Sequence, residues 1–134
     1  MIKNLIVSSA DDKYSSLLEE LYQSTLKLVN YDFAILDCGL KKSSLKKYKE
    51  RGIDIKIPNW EVSLPSYKIR NRNYLKAQFS RFYLHQYFPG YENYFWLDSD
   101  TWINCPETFQ LYLQGIKEKG FAICPQVNRS SPKL

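Results

Sequence analysis

Cysteine is scarce in this chain and poorly placed for any structural use. Cys38, Cys105 and Cys124 are odd in number, far apart and contain no CxxC pair, so neither a disulfide framework nor a zinc site is indicated, and a reducing, cytoplasmic setting is expected. Long apolar runs are missing too. No segment approaches the roughly 20 residues that a membrane span needs, and the first ten residues hold too short an apolar core for a signal peptide, so a soluble chain with no membrane span is expected. The net charge of +5 comes with no RNP, KH, helix-turn-helix or zinc-finger pattern, which excludes nucleic acid as an expected partner. Its sources are scattered. Lys41, Lys42, Lys46, Lys47, Lys49 and Arg51 fall in one helix-like stretch and read as a solvated face. Lys68, Arg70 and Arg72 fall in another, where attraction of an anionic substrate is the alternative reading.

The 134 residues suffice for one ordinary domain that buries roughly two thirds of its unfolded surface. Leu5-Ile6-Val7 is a short apolar run leading to Ala10-Asp11-Asp12, followed by Leu18, Leu21, Tyr22 and Leu28 at helical spacing. Ser16-Leu17-Leu18-Glu19 fits a capping box at that helix's start. Phe33-Ala34-Ile35-Leu36 repeats the strand signal and ends at Asp37, and Ser43 to Arg51 reads as a second helix closed by Gly52. Ile53, Ile55 and Ile57 alternate with polar residues as a third strand. Residues 58–73 have the composition of a loop, long enough to suggest function or mobility. Tyr74 to Tyr87 predicts a helix with Leu75, Phe79, Phe82 and Tyr83 inward and Gln78, Arg81 and His85 on the opposite face. Glu107 to Lys119 predicts another, stopped by Gly120, with Phe121-Ala122-Ile123-Cys124 as a further strand. Residues 125–134 read as a loose tail after a domain over 1–124. Alternating strands and helices imply an α/β fold, with a mainly parallel sheet flanked by helices.

The chemistry concentrates in Tyr94-Phe95-Trp96-Leu97-Asp98-Ser99-Asp100-Thr101, read as a fully buried strand that ends in two carboxylates. The side-chain period of two puts Asp98 and Asp100 on one side if the strand continues, and close together if it turns. Like charges that near one another call for a cation, and an oxygen-only pair suits Mg²⁺ or Mn²⁺ completed by substrate phosphates. The alternative is a plain surface turn, since Asp and Ser favour turns. Asp11, Asp37 and Asp98 are each expected just past a strand's carboxyl end, on the one rim where such folds bind ligands.

Four segments in order give a resemblance: Ala10-Asp11-Asp12-Lys13-Tyr14, Ile35-Leu36-Asp37-Cys38-Gly39, Phe79-Ser80-Arg81-Phe82-Tyr83-Leu84 and Leu97-Asp98-Ser99-Asp100-Thr101. Together they resemble the nucleotide-binding half of a GT-A fold glycosyltransferase, most similar to family 8, the lipopolysaccharide galactosyltransferase and glycogenin group. The resemblance implies a Rossmann-like fold and metal-dependent transfer of a hexose from a UDP-sugar donor to a sugar or glycan acceptor. It implies that Asp98 and Asp100 hold Mn²⁺ or Mg²⁺, with Ala10, Asp11, Tyr14 and Ser99 at the nucleotide, Asp11 accepting a ring N–H and Tyr14 stacking on the base. Arg81 would pair with the donor or with nearby carboxylates and stands with the catalytic residues. Lys13 departs from the asparagine of some members. Two plainer readings stay open, a helix N-cap for Asp11 and Asp12 and a structural ion pair for Arg81. Family members continue into an acceptor-binding half with a later histidine ligand, so a chain truncated at the C-terminus is expected, able to bind but not to turn over. His85 is read as a surface residue or one lying behind the site. Two rivals stand beside this: a non-catalytic nucleotide-sugar-binding module, and a haloacid-dehalogenase-like phosphatase, whose motif disfavours Trp102.

Overall fold

The structure is a computed structural model that describes residues 2–124. The chain divides between Ile103 and Asn104 into two compact units. The first holds a sheet of four strands in the order β3-β2-β1-β4, with β1 at Asn4–Ala10, β2 at Tyr31–Asp37, β3 at Asp54–Lys56 and β4 at Asn93–Trp96. Every pairing is parallel, with Ala10 opposite Asp37, Val7 opposite Trp96 and Leu36 opposite Lys56. All four strands therefore end on the same rim, as expected for this α/β pattern.

The period-two alternation sorts side chains to two faces, and each face is buried by helices. Leu5, Val7, Ala34, Leu36 and Cys38 pack with Ala77, Leu84 and Phe88, which come from the region of α4 (Tyr74–Ser80) and α5 (Leu84–Tyr87). Ala10 and Ile35 pack instead with Leu18 of α1 (Ser15–Thr25), Tyr48 of α2 (Lys42–Glu50), Leu40 and Ile53. Leu18, Leu21, Ile35 and Leu36 are fully buried, each such side chain stabilising by about 1.5–3 kcal/mol.

The helix boundaries follow local chemistry that the sequence showed in part. α2 ends in a Schellman motif: Gly52 takes φ +77°, its N–H donates to Lys49 O at 2.9 Å, and the Ile53 N–H donates to Tyr48 O at 3.1 Å. The capping box expected at Ser16 and Glu19 does not form. Asp11 caps a 3-10 turn over Asp12–Tyr14, α1 continues from it without a side-chain cap, and Glu19 turns to Lys47 and Arg51.

Further expectations need correction. The third strand keeps only Asp54–Lys56; Ile53 is buried before it, and Ile57 is exposed after it. The 58–73 segment contains a short helix, α3 (Ser66–Ile69), and is anchored. Pro58 is fully buried, the Asn59 N–H donates to Tyr87 Oη at 2.9 Å, the Ser80 hydroxyl donates to Asn59 O at 3.3 Å, and the Tyr87 hydroxyl donates to Glu61. The helix expected over Tyr74–Tyr87 is interrupted by a 3-10 turn at Arg81–Tyr83. The buried positions are Ala77, Ser80, Leu84 and Phe88, which share one face at helical spacing, and Phe82 lies on the opposite side and is 70% exposed. β4 is not fully buried. Among the described residues it pairs with β1 alone, and of its residues Phe95 alone is buried.

In the second unit α6 (Thr108–Lys119) ends at Gly120, whose φ of +81° accompanies its N–H bond to Ile116 O at 2.7 Å. The strand expected at Phe121–Cys124 is absent: Phe121 and Ile123 are exposed, and no described strand pairs with them. The tail expected at 125–134 lies outside the described residues. Among those described, no helix is long and apolar enough to cross a membrane.

Candidate functional site on the carboxyl rim

Three acidic segments meet the rim, and each is held by a different local device. After β1, Asp11 is half-buried and its Oδ1 accepts the Tyr14 N–H at 3.2 Å, which is the capping role considered for it. One carboxylate oxygen is thereby assigned to the backbone. Asp12 forms an ion pair with Lys41 at 2.8 Å, and the exposed Tyr14 ring projects from the end of the turn.

After β2, Asp37 Oδ1 accepts the N–H groups of both Gly39 and Leu40 at 2.8 Å, so this carboxylate shapes its own loop. Gly39 sits at φ +127°, a conformation that other residues rarely adopt, and a Cβ there would lie 3.8 Å from Asp11 Cβ. Two backbone bonds extend the β1–β2 pairing into the loops, Cys38 N–H to Ala10 O and Asp12 N–H to Gly39 O, both at 3.0 Å. The Asp11 and Asp37 loops therefore form one continuous ledge.

After β4 the chain turns at once. The Asp98 carbonyl accepts the Thr101 N–H at 2.9 Å and its hydroxyl at 2.6 Å, closing a turn over residues 98–101. The Trp96 indole N–H donates to Asp98 Oδ1 at 2.9 Å, which fixes that side chain and leaves Oδ2 open. Asp98 and Asp100 are exposed and Ser99 is half-buried. Both readings of this segment thus meet in one geometry, a turn that carries two exposed carboxylates at a strand's carboxyl end.

Arg81 lies in the 3-10 turn, exposed, with its guanidinium 5.4 Å from the Phe82 ring centroid. No carboxylate lies within 4.0 Å of it among the described residues, so the structural ion pair does not form. His85 is exposed on α5.

One residue here escaped the sequence. Lys76 of α4 is half-buried, whereas every other described lysine and arginine is exposed. Its ammonium lies 5.6 Å from the Trp60 ring centroid. The Cys38 thiol reports its neighbourhood: burial pushes that thiol up to about 11, the Ala77 backbone N–H and the charge of Lys76 oppose this, and the carboxylates of Asp37 and Asp11 add to it. No linear pattern separates Lys76 from the other lysines, because its lower exposure depends on which face of α4 packs on the sheet and on Trp60, distant in sequence.

The donor set can be tested against a divalent ion. Among the described residues no group of three His, Cys, Asp or Glu side chains could hold a metal. Asp98 and Asp100 nevertheless fit the other mode open to Mg²⁺ and similar hard ions, in which one or two carboxylates share the ion with phosphate oxygens and water.

No family model matches the sequence, and no curated protein matches it. Solved structures do. Over 81% of its length the chain superposes on an active-site mutant of LgtC with a TM-score of 0.53 at 19% identity. Over 79% it superposes on the galactosyltransferase LgtC in complex with donor and acceptor sugar analogs, with a TM-score of 0.50 at 18% identity. This is a GT-A fold. The chain spans about 41% of the length of either structure, so the shared architecture is the parallel sheet with its helices. At this identity the likeness concerns the fold, and the side chains of the rim must support any function themselves.

Proposed function

We propose that this chain binds the donor of a metal-dependent glycosyl transfer, a UDP-sugar, along the carboxyl rim of its GT-A sheet. The observation that carries the reading is that the Asp11–Tyr14 turn and the Asp98–Asp100 turn lie on that one rim, following the adjacent parallel strands β1 and β4. Such rims are where open α/β sheets take nucleotides.

Asp98 and Asp100 would hold Mn²⁺ or Mg²⁺ together with the donor diphosphate. The ion supplies Lewis-acid stabilisation of the negative charge that develops on the leaving diphosphate. The indole N–H of Trp96 holds Asp98 Oδ1, so the carboxylate meets its ligand already oriented. Asp11 keeps one oxygen for a ring N–H of the base, since the other caps Tyr14, and the exposed Tyr14 ring provides the stacking surface. Ala10 and Ser99 line the nucleotide between these ends. Arg81, with no carboxylate of its own, is available to the donor's anionic oxygens, which its planar fork of donors suits. A glycan acceptor would complete the reaction. A module that binds a nucleotide-sugar without transferring it uses the same residues; a UDP-release assay with and without sugar acceptors separates the two.

Calorimetric titration of UDP into the chain with Mn²⁺, and again with EDTA, tests the binding mode. Binding should require the ion, because without it the two carboxylates repel the phosphates, and Asp98→Asn should weaken the Mn²⁺-dependent affinity by about tenfold or more. Equal affinity in Mn²⁺ and in EDTA would refute the metal-bridged site.

A further inference from the structure

Lys76 is an ammonium group with an unusual address. It alone among the described cations is half-buried, no carboxylate of the described residues lies within 4.0 Å of it, and its ammonium lies 5.6 Å from the Trp60 ring centroid. Its stem is covered and its head lies by the face of Trp60, an arrangement that limits where the ammonium can point. An acceptor oxygen of a ligand at the rim would take the bond that no carboxylate takes.

Its place in the fold says which part of a ligand that is. The adjacent Ala77 is fully buried in the cluster that contains Leu36 and Cys38, so Lys76 stands by the end of β2. Cys38 is bonded to Ala10, and Gly39 lies beside Asp11, which brings Lys76 to the Asp11 side of the ledge. Asp98 and Asp100 leave from β4, on the other side of β1. That Lys76, Asp11 and Asp37 all act on the one Cys38 thiol agrees with this placement. An ammonium gripping the diphosphate would belong on the β4 side instead.

We propose that Lys76 reads the nucleobase together with Asp11, donating to uracil O4 while Asp11 accepts the neighbouring N3–H. The inference rests on the nucleotide reading above and deepens it to the choice of base. Uracil presents a ring N–H beside a carbonyl, which matches a carboxylate paired with an ammonium. Cytosine presents a bare ring nitrogen beside an amino group, so each partner would face its own kind. The pair selects UDP over CDP, and Trp60 holds the ammonium in place.

Lys76→Met keeps the stem and removes the charge. Titrate UDP, CDP and inorganic pyrophosphate, each with Mn²⁺, into the unaltered chain and the variant. Loss of a charge-assisted bond should lower UDP affinity by about tenfold or more, change CDP affinity by less than about threefold, and leave pyrophosphate unchanged. Retained pyrophosphate binding also shows that the variant is folded. If it does not fold, Lys76→Arg keeps the charge but moves the donors, and its UDP preference over CDP should fall. An unchanged UDP-to-CDP ratio, or an equal loss for all three ligands, overturns the proposal and leaves the nucleotide site standing. Failure of the unaltered chain to bind UDP at all overturns both.

Discussion

Glu19 offers a stability test in which the structure supplies the magnitude. Its carboxylate receives Arg51 Nη1 at 2.9 Å on both oxygens, Lys47 Nζ at 2.8 Å on Oε2 and the Gln23 amide at 2.8 Å on Oε1. Burial pushes its pKa up, but the bonds from Arg51, Lys47 and Gln23 outweigh that and hold it at about 2, against an ordinary value of 4.5. A depression of this size corresponds to about 3 kcal/mol, and solvent screening of the partly exposed cluster reduces this to about 1–2 kcal/mol. Because the folded-state value is depressed, the contribution is fully present above pH 4.5 and is lost as pH falls toward about 2. Glu19→Gln should therefore lower stability at pH 7 by about 1–2 kcal/mol, or Tm by about 2–8 °C for a domain of this size. The difference from the unaltered chain should shrink below pH 4.5 and vanish near pH 2. Urea denaturation followed by circular dichroism across that range reads it. A difference that persists undiminished at pH 2, or no difference at pH 7, would refute the assignment of this stability to the Glu19 charge.

Cysteine labelling should separate two classes: Cys105 and Cys124 are exposed and should react promptly at pH 8, whereas Cys38, buried and pushed up to about 11, should react only as the chain opens, so its rate should rise with urea. Prompt labelling of all three would contradict the packing of Cys38 beneath α4. Gly39→Ala should destabilise by about 1–3 kcal/mol through the φ of +127°, and should also weaken UDP binding because the Asp11 loop is bonded to Gly39 O. A melting curve and a UDP titration check it, and unaltered values in both would show that the ledge tolerates a side chain.

The parallel sense of the sheet was legible in the sequence because strand-like runs alternate with helical ones, and three of the strands are closed by an acidic turn. Leu5-Ile6-Val7 and Ala34-Ile35-Leu36 bury completely, and Asp11, Asp37 and Asp98 all reach the carboxyl rim. What failed were inferences about phase and partners. Phe82 looked internal because aromatic residues suggest an inward face, whereas the face that packs holds Ala77, Ser80, Leu84 and Phe88 at helical spacing and leaves Phe82 opposite. Phe121–Cys124 had the composition of a strand, but a strand exists only beside another, and composition does not name the partner. Glu19 had the spacing of a capping box, yet Lys47 and Arg51, which sit far along the sequence, hold it more strongly than a single backbone N–H would.

The same distinction governs the rim. Asp98 and Asp100 could be chosen from the sequence because their spacing is local, and so could Asp11, whose cap spans three residues. Asp37 carried an equal signal, but its Oδ1 serves the Gly39 and Leu40 N–H groups, so an acidic residue at a strand end is as readily a loop builder as a ligand. Lys76 carried no signal, because what marks it is burial beside Ala77 and the ring of Trp60, sixteen residues earlier in the chain. A linear motif reports the groups that must act on a ligand in sequence order. A group that would choose among ligands, as proposed for Lys76, is placed instead by how α4 packs on the sheet, and it becomes visible only when its charge, its exposure and its neighbours are considered together.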